Sequence, residues 1–109
     1  MEKIYNKLVR DNIPEIIGLD KRKPIIRVLT KEEFISELFK KLIEEAKESV
    51  KAKNNKAELI KEIGDIYEVI DAIIGYYNLD RRKITKVKEK RKAERGGFKK
   101  RIFLESIDN

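Results

Sequence analysis

Two groups of acidic residues dominate the chemistry this chain can offer: Glu44-Glu45-Ala46-Lys47-Glu48 and Glu62-Ile63-Gly64-Asp65. Within each, acids three or four residues apart fall on the same side of a helix. Carboxylates gathered in a small space repel one another unless protons or a cation offset the charge. The pattern suits a hard divalent metal held by oxygen ligands, and such metals handle phosphates. Ordinary Glu-Lys pairing on a solvated helix face is the competing explanation.

Composition narrows the alternatives. The 109 residues include no cysteine and no histidine. Disulfides, thiol nucleophiles, imidazole shuttles and the usual nitrogen or sulfur ligands for zinc are therefore excluded. Hydrolysis by such a chain would depend on a metal-bound water. The formal charge of +7, with 43% charged residues, points to acidic partners such as nucleotides or nucleic acid. Basic residues crowd the stretch from Asp80 to Arg101, whereas Glu32 to Asp71 is acidic on balance. The charged start and the short apolar runs carry no sign of a signal peptide or membrane span. A soluble, cytoplasmic protein of one domain over residues 1–109 is the expectation.

Helices must position the acids. Thr30-Lys31-Glu32-Glu33 fits a capping box and opens a helix to about Lys53. Its apolar stripe is Phe34, Ile35, Leu38, Phe39, Leu42, Ile43, Ala46 and Val50. A second helix runs from Lys56 to Tyr77, with Leu59, Ile60, Ile63, Ile66, Tyr67, Ile70, Ile73, Ile74 and Tyr77 as its main stripe. The short connection makes the two antiparallel neighbours. Asp80 caps a further helix over Arg81 to Glu94, closed by Arg95-Gly96-Gly97. Before these, Pro14 suits the first turn of a short helix. The β-branched stretch Ile25 to Leu29 reads as a strand that pairs with residues 4–8.

On a helix wheel of about 100° per residue, Glu45 lies at the edge of the first apolar stripe and Glu48 beyond it, with Glu44 almost opposite. On the second helix Glu58, Glu62 and Asp65 form a flank continued by Val69, Ala72 and Tyr76. That flank is expected to pack against something, a second subunit being one such surface. Gly64 is either a tolerated helix glycine or a point of close approach. Gly96-Gly97 is either a helix cap or a place where backbone N–H groups meet a phosphate. Tyr5, Tyr67, Tyr76 and Tyr77 suit either core packing or base stacking.

Glu44-Glu45-x-x-Glu48 followed by Glu62-x-x-Asp65 resembles the paired acid motifs of the MazG-like nucleotide pyrophosphohydrolases. These belong to the all-α NTP pyrophosphatase superfamily, to which the phosphoribosyl-ATP pyrophosphohydrolases are related. Asn6-Lys7-Leu8-Val9-Arg10-Asp11-Asn12-Ile13-Pro14 and Arg95-Gly96-Gly97-Phe98-Lys99-Lys100-Arg101-Ile102 look like a small single-domain subgroup. The resemblance spans nearly the whole chain. It implies an all-α antiparallel bundle completed by oligomerisation, as a homodimer or homotetramer. It also implies Mg²⁺, or Mn²⁺, bound by Glu45, Glu48, Glu62 and Asp65. Glu44 would hold a ligand or water from outside, bind another metal or, with Glu45, help activate water. Lys7, Arg10, Arg95, Lys99 and Arg101 are candidates for substrate phosphates. The implied reaction cleaves a nucleoside triphosphate, standard or not, between the α- and β-phosphates. A non-catalytic module that binds nucleotide or nucleic acid through the basic C-terminal region is the alternative, although nucleic acid is not the expected partner. No membrane partner is expected.

Overall fold

A computed structural model describes residues 2–108, which contain four helices and no strand. The chain divides into two compact units, Met1–Tyr77 and Asn78–Asn109. The first holds α1 (Ile13–Leu19), α2 (Lys31–Lys51) and α3 (Lys56–Tyr77), and the second holds α4 (Arg81–Arg95).

Local chemistry sets the helix boundaries. Pro14 occupies the first turn of α1, where its missing N–H leaves no bond unmade. At α2 the capping box is complete. The Glu33 N–H donates to Thr30 Oγ1 at 3.2 Å, and the Thr30 N–H donates to Glu33 Oε1 at 3.1 Å. Arg27 grips the same carboxylate with both terminal nitrogens, at 3.1 and 2.9 Å. Asn55 Oδ1 accepts the Glu58 N–H at 3.1 Å and restarts the chain as α3. Asn78, at φ 53°, takes the left-handed conformation just past α3. Asp80 caps α4 by accepting the Arg82 N–H at 2.8 Å.

The direction of α2 against α3 follows from which residues meet. Phe34, near the start of α2, makes an edge-on ring contact with Tyr76, near the end of α3, at 6.1 Å between centroids. Further along α2, Glu45 meets Glu62 and Asp65. Toward its end, Glu48, Lys51 and Ala52 share a hollow with Asn55, Glu58 and Glu62. As the position advances along α2 its partner retreats along α3, so the helices are antiparallel, as the short connection predicts. Leu38 on α2 and Val69 on α3 are the buried residues of this pair.

On α3 the acid flank is packed, as expected, while the main apolar stripe is only partly covered, with Leu59, Ile66, Ile73 and Ile74 half-buried. Its Glu62, Asp65, Val69, Ala72 and Tyr76 flank is the side turned to α2. Much of its main apolar stripe is left exposed, with Ile60 at 71% and Tyr67 at 66%. On α2, Phe39, Ile43 and Val50 are likewise exposed. Apolar residues of both helices are therefore left available to a surface outside this helix pair.

The expected β pair between residues 4–8 and Ile25 to Leu29 does not form. Ile25 and Val28 are 83% and 92% exposed, so no face of such a hairpin would be covered. A lone two-stranded ribbon without a covered face is marginal in water. Arg27 instead commits this segment to the capping box of α2.

Charge is divided unequally between the units. Residues 1–77 carry 15 basic and 15 acidic side chains, whereas residues 78–109 carry 12 basic and 5 acidic, so the entire +7 lies in the second unit. No residue of α4 is buried, and its last turn ends on Gly96, whose φ of +85° favours glycine. No helix among the described residues is long and apolar enough to cross a membrane.

The grip of Arg27 and the Thr30 N–H holds the Glu33 carboxyl down to about 2, against an ordinary 4.5. A depressed folded-state value stabilises the fold above pH 4.5, and that contribution is lost as pH falls through 4.5 toward 2. Replacing Glu33 by Gln should therefore flatten the acid limb of stability. Denaturant midpoints from pH 6 to pH 2 check this, and an unchanged acid limb would contradict it.

Candidate metal centre between α2 and α3

Antiparallel pairing brings acids far apart in sequence to one place. Carboxylate oxygens of Glu45, Glu62 and Asp65 lie within 4.8 Å of one another, all three side chains half-buried. Glu45 comes from the middle of α2. Glu62 and Asp65, three residues apart, come from one side of α3. Three of the four expected metal ligands thus converge. Glu48 stands outside the trio, 45% exposed and paired with Lys51 at 3.3 Å, although it lines the adjoining hollow with Glu58 and Glu62.

Glu45 is 12% exposed, against 29% for Asp65 and 45% for Glu48. Burial pushes its carboxyl above the ordinary value, Lys41 opposes the rise, and the nearby Asp65 and Glu62 carboxyls reinforce it. Lys41, one turn back on α2, places its ammonium 3.7 Å from both Glu44 and Glu45. Glu44 is 44% exposed on the outer side of this pair. Lys41 was not among the expected site residues. Its i, i+3 and i, i+4 spacing to Glu44 and Glu45 is the signal that points to it.

A second cation reaches the cluster from the N-terminal segment. The Arg10 guanidinium donates to Asp65 Oδ1 at 2.7 Å, joining residues 55 positions apart. The Arg10 carbonyl accepts the Ile13 N–H at 3.1 Å, so the same residue leads directly into α1. Lys7 is placed elsewhere: its ammonium lies over the Tyr5 ring at 5.7 Å, with Lys3 at 5.1 Å. Arg95, Lys99 and Arg101 belong to the second unit, where Arg95 ends α4 and Arg101 adopts a left-handed turn at φ 55°.

Gly64, Gly96 and Tyr76 have defined surroundings within the chain. A Cβ added to Gly64 meets nothing within 4 Å, so no other part of this chain crowds that glycine. Gly96 is a helix cap, its N–H donating to the Lys92 carbonyl at 2.8 Å. Tyr76 is a packing residue, edge-on to both Phe34 and Tyr77.

The donor set is all oxygen, partly shielded and drawn from two rigid helices, which fits a hard divalent cation with an open side for further ligands. The chain has no significant match among family models, curated proteins or solved structures.

Since Lys41 alone opposes the rise at Glu45, replacing it by Met should move the Glu45 carboxyl further up. Carbon-detected NMR titration of that carboxyl in both proteins measures the shift. A lower or unchanged value would show that Lys41 is not its electrostatic partner.

Proposed function

We propose that this protein is a Mg²⁺-dependent nucleotide pyrophosphohydrolase that splits a nucleoside triphosphate into monophosphate and pyrophosphate. The observation that carries the reading is the convergence of Glu45, Glu62 and Asp65 between two antiparallel helices. The order of acid and terminal motifs, which resembles the MazG-like enzymes, supplies the substrate class.

Glu45, Glu62 and Asp65 would hold the cation, with Glu48 beside them to complete its ligand set or orient its waters. Bound there, Mg²⁺ supplies charge neutralisation at the phosphate oxygens and acidifies a coordinated water; Mn²⁺ would do the same. The side chains carry the remaining work. A carboxylate oxygen of Glu45 not engaged by the cation accepts the proton of the attacking water. Glu44 assists from the outer side. The water oxygen bonds to the α-phosphorus, the bond from that phosphorus to the bridging oxygen breaks, and pyrophosphate departs. Arg10 lies close enough to serve a phosphate beside the cluster. Roles for Lys7, Arg95, Lys99 and Arg101 rest on the terminal motifs.

The working form in this reading is a homodimer or homotetramer. The exposed apolar stripe of Phe39, Ile43 and Val50 on α2 and Ile60, Ile63 and Tyr67 on α3 supports it, because a second copy would cover it. The second reading, a nucleic-acid-binding module, draws on the +7 charge confined to residues 78–109.

A panel of nucleotides with Mg²⁺, assayed separately for pyrophosphate and orthophosphate, tests the proposal. Pyrophosphate should be released from at least one nucleotide. Glu62→Gln and Asp65→Asn should each lower the rate about a hundredfold or more, while sedimentation reports a species larger than the monomer. Orthophosphate as the product, or full activity in both variants, would overturn the enzyme reading. Salt-sensitive oligonucleotide binding with no hydrolysis would favour the second.

A further inference from the structure

The Arg10–Asp65 pair has a consequence that the hydrolase reading does not require. Three carboxylates with Lys41 and Arg10 beside them sum to one negative charge when all are ionised. The same three with Lys41 alone sum to two, which matches a dication. The backbone of Lys41 is fixed in α2 one turn from Glu45 and its side chain is only 19% exposed, so its charge stays close to the cluster. Arg10 arrives from a segment without regular structure, is itself largely exposed, and can leave by turning its side chain into solvent. A dication on Asp65 would also lie beside the guanidinium, and like charges at that range repel.

We infer that Arg10 competes with the divalent cation for Asp65, so that loading the cluster releases the N-terminal segment from α3. The inference rests on the reading of the trio as a cation site. The tether it would release is specific. Leu8 and Val9 are half-buried, Arg10 is fixed at its side chain by Asp65, and its carbonyl accepts the first N–H of α1. Cation binding would therefore have a second output, a looser segment ahead of α1 and a guanidinium freed for a phosphate arriving at the same place.

The test uses Mn²⁺ alone, with no nucleotide, and reads binding and hydrogen exchange. Arg10→Ala should tighten Mn²⁺ binding by about three- to tenfold, the scale of one charge-assisted pair at a partly exposed site. Arg10→Lys, which keeps the charge and loses the fork, should fall between. In the natural protein Mn²⁺ should speed amide exchange over residues 8–13, and in Arg10→Ala it should make no difference there. Weaker or unchanged binding in Arg10→Ala, or slower exchange over residues 8–13 on adding Mn²⁺, would overturn the competition and make Arg10 a supporting partner of Asp65. If Asp65→Asn binds Mn²⁺ as the natural protein does, the cation-site reading falls and the competition with it. If Asp65→Asn loses binding while Arg10→Ala gains none, the competition alone falls.

Discussion

Three carboxylates held within 4.8 Å set the electrostatic problem that the α2–α3 pair has to solve. At an effective dielectric of about 20, each ionised pair at that separation repels by about 3 kcal/mol. The protein meets the repulsion with parts already described. Lys41 stands over Glu45 from within α2, Arg10 reaches Asp65 from the N-terminal segment, and the Glu45 carboxyl shifts toward its neutral form. Without such partners, turning the acidic flank of α3 inward would oppose the helix packing. With them, an arrangement unfavourable for stability alone becomes a preorganised oxygen site.

That constraint also explains the face left outside. A helix has one circumference, and α3 spends the arc beside α2 on Glu62, Asp65, Val69, Ala72 and Tyr76. Ile60, Ile63, Tyr67, Ile70 and Tyr77 are consequently left exposed. Within the pair, only Leu38 and Val69 become buried, a small core for two helices of 21 and 22 residues. The exposed apolar residues and the acid cluster are thus two results of one helix rotation.

Much of this was legible in the sequence where the signal is local. The Thr30 capping box, the Asp80 cap and the span of α3 follow from residues within a turn of each boundary. Spacing along the two helices also singled out Glu45, Glu48, Glu62 and Asp65, of which Glu48 stands outside the trio. What depended on long-range choice was harder to read. The apolar count of α3 favoured its main stripe as the packed face, yet Ile60, Ile63, Tyr67 and Ile70 of that stripe stay exposed while the acid flank reaches α2. A β-branched run suggested a strand where Arg27, bound to Glu33, ties the chain to a helix cap. Nothing local to Arg10 indicates a partner 55 residues away, whereas Lys41 could have been found from its spacing alone.

The division of charge has a colloidal side. The helical part that holds the acid cluster is formally neutral at pH 7, and all the net charge that keeps one copy away from another is carried by residues 78–109. An exposed apolar stripe on a neutral body favours association, while a strongly cationic end limits it. Polyanions that coat that end, or modifications that neutralise its lysines, would lower the electrostatic barrier to self-association without touching a helix contact. The basic end thereby carries the net charge that the part of the chain with the acid cluster lacks.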